Sequence, residues 1–212
     1  MSITLPAFTP IEESLFLTLC GRALDNRSPH PILADTLAGE IIGKLNYDVG
    51  RFHLSASPIL NIALRAKKLD QVAQNFITRH PDAVGLDLGA GLDTRAFRIN
   101  PPPTVDWYDV NRLTDHFPSG EVAFNGYSRF AIWAAKHYHG TQSVADLIKS
   151  PGFDDPHEPE RWNPRLQLVR EILLIREPEV AQFPPALRRF THLAAHCTAL
   201  SRRGTTVLQY RF

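Results

Sequence analysis

The stretch VGLDLGAGLDTR, residues 84–95, decides the fold, because a short apolar run gives way there to two closely spaced glycines. A run of this length bounded by turn residues suits a strand buried on both faces, as in a parallel sheet. Gly89 and Gly91 follow it directly, and LDTRAFRI predicts the start of the next helix. Backbone N–H groups and a helix N-terminus would then converge above the strand's carboxyl end, where open parallel sheets bind their ligands. The nicotinamide fingerprint G-x-G-x-x-G is incomplete, since Thr94 stands where the third glycine belongs. That disfavours a dinucleotide and leaves other adenosine cofactors. An acid that accepts from ribose hydroxyls is expected about 20 residues further on, and Asp109 in PPPTVDWYDV, the second predicted strand, meets that spacing. The competing reading is a tight βα turn whose glycines serve packing alone.

Upstream, SPILNIALRAKKLDQVAQNFITRHP predicts a long helix capped by Ser57, started by Pro58 and ended before Pro81, with one continuous apolar stripe. TPIEESLFLTLCGRAL opens on a capping box of Thr9 and Glu12 with Pro10 at the first helical position, and DTLAGEIIGKL is a second helix capped by Asp35. Residues 1–56 therefore read as an N-terminal helical cap and residues 57–212 as an α/β domain. Downstream, GEVAFNGYS predicts a third strand, RFAIWAAKHY and SVADLIKS helices, and DPHEPERW a short capped turn. LQLVREILLI and TTVLQYRF read as a final antiparallel pair around a helical segment. Strands alternating with helices imply a three-layer α/β fold.

Composition narrows the partners. A chain of 212 residues holds one well-buried domain, and 23 Lys+Arg against 22 Asp+Glu leave a net charge of +1. Nothing in that balance draws the chain to nucleic acid or an anionic membrane, so a small-molecule ligand is expected. Cys20 and Cys197 lie far apart without metal-ligand spacing and read as buried apolar residues in a reducing compartment. MSITLPAFTP has neither a basic nor an apolar leader region, and no window approaches the ~18 apolar residues of a membrane span, so a soluble cytoplasmic protein is expected. No hydrolase elbow, Walker loop or RNA-binding aromatic signature is present. His192 and His196 sit four apart without a third ligand, which assigns them to a solvated or half-buried helix face. Composition leaves the oligomeric state open.

CGRALDNRSPHPILADTLAGEI, ALRAKKLD, LDLGAGLDTRAFRI and WYDV together resemble the S-adenosylmethionine-dependent leucine carboxyl methyltransferase family, whose bacterial branch includes polyketide O-methyltransferases. The resemblance runs from Glu12 to Val110 and resumes from Arg112 through FPSGEVAFNGYS, ERWNPRLQLV and PEVAQFPPALR. It implies a class I methyltransferase-like (Rossmann-like) fold, S-adenosylmethionine as cofactor and a small-molecule methyl acceptor. By the same resemblance Gly89, Ala90 and Gly91 wrap the methionine part of the cofactor, Arg65 pairs with its carboxylate and Asp87 reaches its ammonium. A guanidinium fork matches a carboxylate, and a bare turn admits backbone donors at close range. Arg95 is expected in a structural ion pair. Methyl transfer needs mainly in-line placement, so no catalytic residue is assigned; Tyr127, His53 and His137 are the conceivable bases for a phenol.

The pattern breaks at Val110–Asn111. Family members continue there with a second acid, a helix, a third strand, another helix and a fourth strand beside the first; here NRLTDHFPSG follows at once. The third and fourth strands are thus expected to be missing, roughly 50–60 residues with their helices and loops. Asn111 replaces the family's ribose acid, and Asp109, about 7 Å away along the strand, is the candidate substitute. The alternative function is accordingly an internally deleted remnant with impaired catalysis, acting as a binding or interaction protein.

Overall fold

The computed structural model of the chain describes residues 10–45, 47–88, 90–110, 119–137 and 151–212, except the side chains of residues 10–12, 49, 88, 108–110 and 162. Helix α1 (Pro10–Asn26) packs its Phe16, Leu19, Cys20 and Ala23 against Ala38 and Ile42 of α2 (Thr36–Lys44) and against Phe52. The capping box predicted at Thr9 and Glu12 lies outside the described residues. Asp35 does cap α2, its Oδ1 accepting from Ala38 N at 3.0 Å. The proline-bearing loop between the two helices is ordered by Asp25. This fully buried carboxylate accepts the backbone N–H groups of Ile32, Leu33 and Ala34, which burial would otherwise leave without water or partner.

Helix α3 (Ala56–Arg79) is the spine of the molecule. It starts two residues earlier than predicted, with Ser55 rather than Ser57 at the N-cap, because Pro58 falls within the first turn where no helical N–H is required. Gly21 brings α1 close enough to α3 that a Cβ there would lie 3.1 Å from Ile62 Cγ2. Further along, Ala63, Leu64 and Val72 pack on Ile172, Leu174 and Val207, and Ile77 packs on Ile99 and Val105. One helix therefore meets the cap and both sheets.

The first sheet pairs β1 (Val84–Leu88) with β2 (Asp106–Val110) in parallel, from Val84↔Asp106 to Leu88↔Val110. The second is antiparallel, in the order β3 (Glu121–Tyr127), β5 (Thr205–Arg211), β4 (Gln167–Leu173). The chain passes from β3 through α5 (Arg129–His137) and α6 (Glu158–Trp162) to β4, then through α7 (Pro185–Ala195) and α8 (Thr198–Ser201) to β5. The third strand and the final antiparallel pair match expectation, while the helix predicted over SVADLIKS lies outside the described residues.

The architecture is mixed α/β, but the expected single central sheet is divided: among the described residues β1 pairs only with β2, and β3 only with β5. A parallel neighbour requires a crossover of a dozen or more residues, and residues 111–120 between β2 and β3 are too few for one. Cys197 is exposed, correcting the expectation that both cysteines are buried. No helix among the described residues is long and apolar enough to cross a membrane.

Gly85 shows how tightly the small sheet is packed. A Cβ there would strike the Trp107 indole, with Cζ3 at 2.8 Å, across its own register partner. Gly85→Ala is expected to cost about 1–3 kcal/mol as the ring is displaced. Urea unfolding followed by tryptophan emission measures it, and an unchanged midpoint would contradict the packing described.

Candidate active site

The glycine-rich turn leaves the carboxyl end of β1. Gly91 has φ +57, in the left-handed region that a residue without Cβ enters freely, and Asp93 N–H closes the turn on the Ala90 carbonyl at 2.9 Å. Helix α4 (Arg95–Ile99) follows with Thr94 at its N-cap, so the predicted strand, turn and helix start are all present. It runs for a single turn and a half, because Asn100 adopts a left-handed cap and three prolines come next.

Charged side chains bind this turn to the rest of the fold. Arg95 reaches Asp70 Oδ1 on α3 at 3.0 Å, Asp87 Oδ2 on β1 at 2.7 Å and Asp93 Oδ2 at 2.9 Å. Arg98 reaches Asp70, Asp93 and Asp35 at 2.7, 3.1 and 3.0 Å. From α1, Arg22 binds Asp35 Oδ2 through Nε at 3.0 Å and the Leu92 carbonyl through Nη2 at 2.6 Å. Burial alone would raise the Asp93 carboxyl, yet Arg95, Arg98 and Arg22 together hold it below the usual carboxylate range. Burial pulls the Arg22 guanidinium below its ordinary value in spite of Asp93 and Asp35. Charges removed from water are tolerated only when paired this fully.

Arg65, also on α3, occupies a different setting: Nη1 donates to the Tyr127 hydroxyl at the carboxyl end of β3, and the guanidinium lies 5.5 Å from that ring. Its Nε is buried and has no hydrogen-bond partner among the described residues. A cationic donor held against an aromatic face with one N–H unspent suits a carboxylate ligand.

The structure thus places the predicted residues unevenly. Asp87 and Asp109 are register partners in the β1–β2 pair, and Asp87 is engaged by Arg95. Ala90 and Gly91 form the turn. Gly89, Asn111 and the side chain of Asp109 lie outside the described residues. Arg95 makes the structural ion pairs expected of it. Sequence reasoning missed Arg22, Asp70 and Arg98, which carry no local motif, and read Asp35 only as a helix cap. Tyr127, considered as a base, is the partner of Arg65, whereas His137 bonds the Trp133 carbonyl at 2.7 Å and stacks on that indole. His192 and His196 are both exposed, and no group of His, Cys, Asp or Glu among the described residues is arranged to hold a metal. An open cavity of about 480 Å³, lined by Phe130, Asp154, Ala199, Arg202 and Arg203, shares no residue with the turn.

Residues 16–114, just under half of the chain, match the leucine carboxyl methyltransferase family. The tetracenomycin polyketide synthesis O-methyltransferase TcmP of Streptomyces glaucescens is 46% identical over 103 residues, covering 49% of this chain and 38% of that protein. The S-adenosyl-L-methionine-dependent methyltransferase dpfgK of Gibberella zeae is 32% identical over 113 residues, 50% of this chain and 36% of its own. A putative S-adenosyl-L-methionine-dependent methyltransferase of Mycolicibacterium smegmatis is 26% identical over 200 residues, 87% and 61% respectively. The matched part of the chain thus spans between 36% and 61% of these relatives' lengths. No solved structure gives a significant match.

Proposed function

Over residues 16–114 the chain belongs to the leucine carboxyl methyltransferase family, and from that premise we propose that it is an S-adenosylmethionine-dependent O-methyltransferase acting on a carboxylate or phenolic oxygen of a small, polyketide-like molecule. The observation that carries the reading is the left-handed turn at Gly91, at the carboxyl end of β1 and inside the family segment. The unspent buried Nε of Arg65 supports it, since this donor set fits the cofactor's amino-acid carboxylate. Ala90 and Gly91, with Gly89, would face the methionine part, and Asp109 with Asn111 the ribose. Asp87 keeps Arg95 beside the turn and would stand near the ammonium. When bound, the cofactor supplies an electrophilic methyl group on a sulfonium. The chain's own residues bind and orient it and hold the acceptor oxygen in line, which is most of what the transfer requires. The acceptor would lie beneath the helical cap of residues 1–56, with the α/β domain of residues 57–212 holding the donor.

The divided sheet favours a second reading, an internally deleted form with weak or no cofactor binding, because β1 has a strand partner on one edge only among the described residues. Calorimetric titration with S-adenosylhomocysteine separates the two. Saturable heat is expected, and Arg65→Met should weaken the affinity roughly tenfold to a hundredfold, the worth of one charged hydrogen bond. A folded protein that takes up no S-adenosylhomocysteine supports the remnant and rules out the enzyme.

A further inference from the structure

The carboxylate of Asp35 is the point at which the helical cap and the glycine-rich turn become one structure. It is 1% exposed and receives four donors from three elements. Oδ2 accepts from Arg22 Nε of α1 at 3.0 Å, from Thr94 Oγ1 at 2.5 Å and from Arg98 Nη1 of α4 at 3.0 Å, while Oδ1 accepts from Ala38 N of α2 at 3.0 Å. Both oxygens are thus engaged, and Oδ2 is the shared acceptor of three donors. The same arginine of α1 also grips the Leu92 carbonyl, so the residue after Gly91 and the residue before α4 are both held from the cap. A buried ionic cluster contributes little net stability compared with an apolar one, and its best-attested use is to fix register. Here the register fixed is that of the turn. Among the described residues β1 has no strand partner on its second edge to brace the turn, and α4 is too short to do so alone.

We propose that Asp35 is a positioning residue for the cofactor turn: through Thr94, Arg98 and Arg22 it sets the conformation of residues 91–95, so that order in the cap and ligand binding at the turn are thermodynamically linked. The inference rests on the cofactor reading above for its ligand and on the ionic cluster alone for the linkage. Linkage is reciprocal: a ligand that prefers the ordered turn also orders the cap, and loosening the cap weakens the ligand.

The test uses the whole chain and S-adenosylhomocysteine. Asp35→Asn keeps the shape but removes the charge and one acceptor, and it is expected to weaken affinity at least fivefold, within the usual span of couplings. Thr94→Val, which deletes only the hydroxyl, should weaken it in the same direction and serves if Asp35→Asn does not fold; Thr94→Ser should retain affinity. Tyr210→Phe, which deletes a buried hydrogen bond to the Pro156 carbonyl on the far sheet, should lower stability without changing affinity. Hydrogen exchange supplies the second readout: the ligand should slow the α2 amides in the unaltered protein, and Asp35→Asn should speed the Phe97 and Arg98 amides without any ligand. Unchanged affinity in both Asp35→Asn and Thr94→Val, or α2 amides indifferent to bound ligand, overturns the proposal. If the unaltered protein binds nothing, the cofactor reading and the linkage to a ligand both fail, and the Phe97 and Arg98 amides in Asp35→Asn still decide the positioning role: unchanged exchange overturns it, and faster exchange upholds Asp35 as the residue that sets the turn.

Discussion

Gly91→Val is expected to abolish saturable binding of S-adenosylhomocysteine in the calorimeter and to lower the unfolding temperature. Gly91 sits at φ +57, where the left-handed conformation costs an L-residue roughly 1–2 kcal/mol and a β-branched one more. Two outcomes are open to the variant, and both damage the site. If the backbone stays, a branched side chain is held in strain against a turn closed by the Asp93 to Ala90 hydrogen bond. If φ relaxes to negative values, the Leu92 carbonyl leaves Arg22 and the Asp93 carboxylate leaves Arg95 and Arg98. Gly91→Ala, with less bulk at the same φ, should fall between. Affinity in Gly91→Val equal to that of the unaltered protein would contradict a ligand lying over this turn.

Lys68→Met is expected to produce the largest loss of stability, about 3 kcal/mol at neutral pH, out of the 5–15 kcal/mol typical of a domain. The Lys68 ammonium is buried on α3 at 2.8 Å from both Glu177 Oε2 and Glu179 Oε2, and methionine would leave those carboxylates facing apolar surface. Among the described residues Lys67, at 3.4 Å from Glu179 Oε1, remains as partial compensation. Burial alone would raise the Glu179 carboxyl, and Lys68 with Lys67 brings it below the ordinary glutamate range. In the unaltered protein the pair's stabilisation is therefore present above that range and lost as pH falls through the depressed native value. In the variant the sign reverses: the unpaired carboxylate is penalised while ionised and relieved on protonation. The stability gap between the two proteins should narrow from pH 7 to pH 4 in urea titrations. A gap that widened on acidification would contradict the pairing.

Much of this molecule was legible in one dimension because its signals are local. The apolar run of β1, the turn at Gly91, the stop at three prolines and the cap at Asp35 are each set by backbone sterics within a few residues. The parallel pairing of β1 with β2 and the antiparallel end of the chain followed from that pattern, with the start of α3 displaced by two residues. Arg95 in an ion pair was legible because the helix start already supplies positive potential, and the structure supplies its partners Asp87 and Asp93. The remainder of the ionic cluster was not. Arg22 meets Leu92 across a separation of 70 residues and Arg98 meets Asp35 across 63, and no periodicity or spacing encodes such contacts.

The sequence by itself therefore determined most of the described elements, the family segment and the place of the glycine-rich turn, because sterics and apolar periodicity act over a few residues at a time. The tertiary structure decided what holds that turn. It paired Arg65 with Tyr127, made a helix cap at Asp35 into a junction of three elements and divided the sheet after β2. Those choices depend on which buried charges can find partners once α1, α3 and α4 are packed, and on whether the connection after β2 is long enough for a crossover, constraints that exist only when distant parts of the chain meet.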